Sequence, residues 1–206
     1  MNTTRRNLIA AALLAPVALN AAAQTWPSKP ITYVVPYPPG GTTDILGRTI
    51  TQRLAAVLGT PVIVDNKAGA TGTIGGAFVA RAAADGHTLL GTSIGPQAIV
   101  PHLMPHLSYD AAKAYEPVVM VGTVPHVLVV HPNAPFASVQ ELVAAAKAKP
   151  GQISFSSGGN GTILQMQGEL LRLQAGVQMV HVPYKGDIPA MQDVIGGQVS
   201  SRKCRP

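Results

Sequence analysis

The stretch VVPYPPGGTTDILGR, residues 34–48, decides how this chain is read. An apolar run stops at Pro-Tyr-Pro-Pro-Gly-Gly, two threonines and Asp44 follow, and a helical pattern begins. Pro36, Pro38 and Pro39 stiffen the approach, and Gly40 and Gly41 free backbone N–H groups to point outward at a helix start, where the dipole is positive. Thr42 and Thr43 add hydroxyl donors. Such a corner suits a carboxylate or another compact anion, although a plain βα turn has the same outline. SSGGNGT, residues 156–162, repeats the logic: it is rich in Ser, Gly and Asn, follows a strand pattern and opens a helix.

Working outward, strand-like and helix-like patterns alternate. ITYVV (31–35), PVIV (61–64), HTLLG (87–91), VVMVG (118–122), HVLVVH (126–131), ISFS (153–156) and MVHV (179–182) read as strands. The first helix places Leu46, Ile50, Leu54, Val57 and Leu58 on one face and ends at Gly59. Residues 73–84 read as a small-residue helix with Ile74 and Phe78 inward. Ser138-x-x-Glu141 is a capping box that opens a helix running through Lys149. Leu164, Leu170 and Leu171 mark another helix, and Asp187 with Pro189 starts a last one, stopped at Gly196-Gly197. Strands separated by helices predict an α/β protein with parallel sheets covered on both faces. Strand, glycine corner, helix, glycine and strand recur at 31–64 and 153–182, which fits two similar lobes with a boundary near Thr123–Pro125.

The ends and the composition narrow the function. Arg5 and Arg6, the apolar LIAAALLAPVAL (8–19) and an Ala21-x-Ala23 site form a signal-peptide pattern, so export and cleavage near Ala23 are expected. The apolar run is shorter than the ~20 residues a membrane span needs, so no stable membrane insertion is expected. Removing the two arginines lowers the formal charge from +6 to +4. That excess is scattered and only three Phe are present, which argues against nucleic-acid binding. Cys204 is the single cysteine, so packing rather than an internal disulfide must hold the fold.

Three motifs point elsewhere. GATGTIGG (69–76) looks like a dinucleotide fingerprint, and Tyr109 with Lys113 gives a Y-x-x-x-K pair; an oxidoreductase is one alternative. The fingerprint requires its first glycine at a strand end, yet DNKA separates VIV from Gly69, and no acid ends the next strand. GTSIG (91–95) fits a nucleophile elbow with Ser93, and a secreted serine hydrolase is the other alternative. Its triad would draw on Asp110 and on His126, His131 or His181. The six histidines show no metal spacing, so no metal and no cofactor are expected.

Four stretches carry a resemblance: WPSKPITYVVPYPPGGTTDILGR, PVIVDNKAGATGTIGGAFVARAAADGHTLL, LVAAAKAKPGQISFSSGGNGT and MVHVPYKGDIPAMQDVIGGQV. The chain resembles, almost continuously from Trp26 to Val199, the Bug family of exported solute receptors of tripartite tricarboxylate transporters. The resemblance implies a type II periplasmic-binding fold: lobe one over 24–123, lobe two over 124–206, and a ligand cleft between them. It implies a monomeric periplasmic receptor, not an enzyme, that captures a small organic anion, a carboxylate or related amide, for a two-component membrane permease. By position, the ligand loops fall on Tyr37, Pro38, Pro39, Gly40, Gly41, Thr42, Thr43 and Asp44; on Thr92, Ser93 and Gly95; on Ser157, Gly158, Asn160, Gly161 and Thr162; and on Tyr184, Lys185, Gly186 and Asp187. Oriented dipoles, often through water, would then hold the carboxylate in place of one obligatory arginine.

The family pattern continues past GGQV, whereas this chain ends in SSRKCRP, which does not read as a strand. The expectation is a truncated receptor, with lobe two and the strands that return to lobe one incomplete, and with unpaired strand edges that compromise folding and binding.

Overall fold

The computed structural model describes residues 25–204. The expected signal peptide lies outside the described residues. Two small sheets form, one from each half of the sequence. The first contains β1 (Ile31–Val35), β2 (Val62–Asn66) and β3 (Thr88–Leu90), in the order β2-β1-β3 and all parallel. The second contains β4 (Val127–Val130), β5 (Ser154–Ser157), β6 (Val180–Pro183) and β7 (Ser201–Cys204), in the order β4-β7-β5-β6. Strands β5, β6 and β7 are parallel, and β4 runs antiparallel to β7.

Helices connect the strands: α1 (Thr42–Leu58), α2 (Thr73–Ala80), the short α3 (Val100–Leu103) behind a π-turn at Gly95–Ile99, α4 (Val139–Ala148), α5 (Ile163–Ala175) and α6 (Asp187–Ile195). The two predicted βαβ units are present. β1-α1-β2 and β5-α5-β6 each end their helix on a left-handed glycine, Gly59 and Gly176. The Ser138 hydroxyl accepts from the Glu141 amide at 3.2 Å; the returning Glu141 carboxylate accepts from Ala137, one residue before the expected partner. Each lobe has its own core. Ile31, Val34 and Val35 are fully buried in the first. Phe136, Leu142, Ala146, Ile153, Phe155, Val177 and Met179 pack together in the second.

Several expectations are corrected. On α1 the inward face is Asp44, Gly47 and Thr51, and Val57 is 81% exposed. The cause is Gly47: a Cβ there would lie 2.9 Å from the Tyr33 ring, so the helix settles on β1 at its glycine rather than along its aliphatic stripe. The same holds for α2, which ends at Ala80. Gly75 and Gly76 face inward against Pro36 and Tyr109, and Ile74 and Phe78 face out. VVMVG forms no strand; Val118, Val119 and Met120 are exposed. β-branched residues favour a strand only where a neighbouring strand accepts their backbone bonds, and this run finds none among the described residues. Conversely, SRKC is a strand. β7 lies between β4 and β5, and bonding on both edges outweighs a polar sequence.

Candidate functional site

The loops at the carboxyl ends of β1 and β5 face each other, with the turn after β3 and the loop after β6 completing the ring. Between them lies a cavity of about 50 Å3. Its walls include Tyr37, Pro38, Gly41, Thr42 and Thr43 from the first corner, and Ser93 and Gly95 from the turn after β3. Across from them stand Gly158 and Thr162, then Gly186 and Asp187. Ile163, Leu164, Ile188 and Pro189 also line it. These four were not anticipated, because aliphatic residues in a first helical turn read as core.

Three helix N-termini converge here. Gly41 is the N-cap of α1, Thr162 of α5 and Gly186 of α6. Each terminus presents amide groups without an intrahelical partner and about half a positive charge. Among the described residues, no lysine or arginine lines the cavity. The one carboxylate among its described lining residues is Asp187, whose Oδ1 lies 2.5 Å from where a Cβ on Gly158 would stand, so a side chain at 158 would have to displace that carboxylate.

The rest of the predicted set holds the walls. Asp44 points away from the cavity into lobe one. Arg48 binds it with two bonds, at 2.9 and 3.0 Å, and the Gly40 amide and Asn66 Nδ2 donate to it as well. The Arg48 bond leads the causes that lower its pKa to about 2, against the cost of burial. Gly40 N–H is therefore spent inward, contrary to the expectation that it points outward. Asn66 Nδ2 also donates to the Tyr37 carbonyl at 3.1 Å, a positioning role that sequence reading missed. Pro39 is exposed, and Thr92 accepts from Gln97.

In lobe two, Ser157 is fully buried, its hydroxyl bonded to Gly159 and 2.7 Å from His181 Nε2. Burial holds His181 below the usual imidazole range. The Gly161 amide donates to Gln165 Oε1, and the Asn160 carbonyl accepts from Thr71. Tyr184 donates to Asp193 at 2.6 Å, and Lys185 is exposed. Thr162 faces the cavity and caps α5 by accepting from Gln165.

Both enzymatic alternatives fail on geometry. Ser93 Oγ lies 2.8 Å from the Tyr37 hydroxyl, while His126 is bonded to Gln167, His131 to Asn133 and His181 to Ser157. The glycines of GATGTIGG are packed against protein: Gly69 against Ile74, Gly72 and Gly75 against Pro96 and Pro36, Gly76 against Tyr109. No space remains there for a pyrophosphate. Lys113 pairs with Asp110 at the surface.

A second concavity lies elsewhere. An open apolar groove of about 1040 Å3 runs along α2 past Ile74, Phe78, Leu103 and Met104. Lys67, Arg81 and His106 line it too, with Lys67 paired to Asp65, but the interlobe cavity, where three helix N-termini meet, is the better site for a small anion.

The family model described as the tripartite tricarboxylate transporter family receptor matches residues 46–204. Protein BugT of Bordetella pertussis is 40% identical over 204 residues, which are 98% of this chain and 63% of that protein. Two solved structures from Rhodopseudomonas palustris are similar. Rpa4515 with adipate has a TM-score of 0.84 at 33% identity, and MatC with bound malate has 0.80 at 31%. Each match covers 87% of this chain and 60% and 61% of those chains. The chain thus spans about three fifths of the length of these relatives.

Proposed function

The chain belongs to the tripartite tricarboxylate transporter receptor family, and from that premise we propose that it binds a small organic anion in the interlobe cavity. The carrying observation is the convergence of three helix N-termini on a cavity with no cationic side chain. Oriented amides and the hydroxyls of Thr42, Thr43 and Ser93 stabilise a carboxylate by many partial charges. The aliphatic Ile163, Leu164 and Ile188 suit a short carbon chain. The adipate and malate of the two relatives fit that chemistry and make dicarboxylates the first ligand class to try.

The protein works as a periplasmic receptor rather than an enzyme, monomeric, and hands its ligand to a two-component permease. No described helix is long and apolar enough to cross a membrane. The cavity has room for only a few waters, so the lobes part to admit a diacid and close over it. A thermal-shift screen across mono-, di- and tricarboxylates and their amides tests the class. Stabilisation by dicarboxylates supports it; a response only to a nucleotide or an ester would redirect it.

A further inference from the structure

We propose that Thr71 is a positioning residue that holds the two lobes shut, through a hydrogen bond made only in the closed arrangement. Thr71 Oγ1 donates to the Asn160 carbonyl at 2.6 Å, joining residues 89 apart in sequence and on opposite lobes. Thr71 sits in a left-handed turn, with φ 55° and ψ 35°, and Ala70 precedes it at φ 45°. For a β-branched residue this backbone is an outlier. The turn has glycine on both sides, at Gly69 and Gly72, so the motif already uses glycine where the chain bends. A threonine kept in a strained position needs a reason that its side chain supplies. Its hydroxyl does not cap the turn; Thr73 Oγ1 does, donating to the Ala70 carbonyl at 2.9 Å.

The neighbourhood fits a latch. The 159–161 loop of lobe two enters a notch formed by Thr71, Gly95 and Val100. A Cβ on Gly161 would stand 2.8 Å from Val100 Cγ2, and one on Gly95 would stand 3.1 Å from the Gly161 carbonyl oxygen. On the other side of the cavity the lobes also touch, where a Cβ on Gly186 would stand 3.2 Å from Pro38. The strained residues Ala70 and Thr71 both lie in lobe one, in a turn flanked by Gly69 and Gly72 of the same lobe. The bond to Asn160 exists only when the cleft is closed. Removing the bond therefore lowers the closed population and weakens, by the same factor, any ligand that binds the closed state.

This inference rests on the reading of the cavity as a ligand cleft, and its test separates the two. Thr71→Gly, Thr71→Val and Thr71→Ser are made in the full chain. Thr71→Gly relieves the backbone and deletes the hydroxyl, so it melts at or above the parent temperature yet binds adipate at least about fivefold more weakly, through faster dissociation. Thr71→Ser retains parental affinity, and Thr71→Val loses it. Small-angle scattering without ligand reads closure directly: Thr71→Gly has a larger radius of gyration than the parent. If the parent fails to bind adipate, this scattering comparison alone decides the latch. Equal radii overturn it. So does a Thr71→Gly protein that loses melting temperature and affinity together, or a Thr71→Ser protein as weak as Thr71→Val.

Discussion

Asn66 and Asp44 are joined by a 2.9 Å hydrogen bond from the amide to Oδ1, and the same amide nitrogen supports the Tyr37 carbonyl at 3.1 Å. One side chain at the end of β2 thus fixes the backbone of the corner and the carboxylate that holds it. Tyr37 in turn meets Ser93 at 2.8 Å, so the support reaches the third wall of the cavity.

Replacing Asn66 with Ala should loosen that corner. A buried carboxylate that loses one partner costs about 1–3 kcal/mol. The urea midpoint should fall accordingly, and affinity for a dicarboxylate should drop about tenfold as Tyr37 and Thr42 lose their geometry. Titration calorimetry on a chain shown to be folded by circular dichroism checks this. Unchanged affinity would show that Asn66 does not position the cavity wall.

Acid should unfold the protein through Asp44. Its folded pKa of about 2 lies below the ordinary 3.8, so its stabilisation is fully present above about pH 4. It is lost as pH falls through about 2. His181 acts at higher pH. Burial lowers its pKa, so below about 6.5 the unfolded chain takes up a proton that the folded chain refuses, and stability declines. Urea melts between pH 8 and pH 2.5 should show both losses. Asp44→Asn should flatten the acid limb, and His181→Gln the limb below neutrality.

The glycines at the cavity should separate binding from folding. Gly41 has an ordinary extended backbone, φ −77°, and a Cβ there meets only the Pro38 carbonyl, at 3.7 Å. Gly41→Val should therefore leave the melting temperature nearly unchanged while its branches enter the cavity and weaken binding. Gly158→Val collides with Asp187 and should weaken binding and stability together. Affinity unaltered in both proteins would contradict a ligand seated between the two loops.

Asp187 sits among groups suited to an anion and carries the opposite preference. Asp187→Asn should tighten a doubly charged dicarboxylate about tenfold, by removing a like charge, and leave a neutral diamide unaffected. Weaker dicarboxylate binding would instead make Asp187 a hydrogen-bond acceptor for the ligand.

Much of this architecture is legible in the sequence, for local reasons. Strands such as Ile31–Val35 and helix stops such as Gly59 and Gly176 announce themselves through β-branched runs and left-handed glycines. The loops around the cavity stand out because Pro, Gly, Ser and Thr, the residues that turns use, cluster at those βα corners. What stayed hidden depends on partners distant in sequence. Gly47 and Gly75 decide which faces of their helices turn inward by close contact with Tyr33 and Pro36, which no hydrophobic period reveals. Ser201–Cys204 becomes a strand because two strands flank it. Asp44 was expected at a ligand and is buried on Arg48 and Asn66; acids in a first turn look alike whichever way they point. The bond between Thr71 and Asn160 gave no signal, since it crosses 89 residues; the sequence places Asn160 at the ligand instead.

On the proposed function, the cavity between the Tyr37–Thr43 corner and the Gly158–Thr162 loop takes a small dicarboxylate. Isothermal titration of the purified chain with adipate and with malate, beside Gly41→Val, measures it most directly. One-to-one binding of at least one of them is expected, with a dissociation constant on the order of micromolar, weakened at least about tenfold by the substitution. A folded chain that gives no heat with either acid, or that binds equally well with Val at position 41, would contradict it.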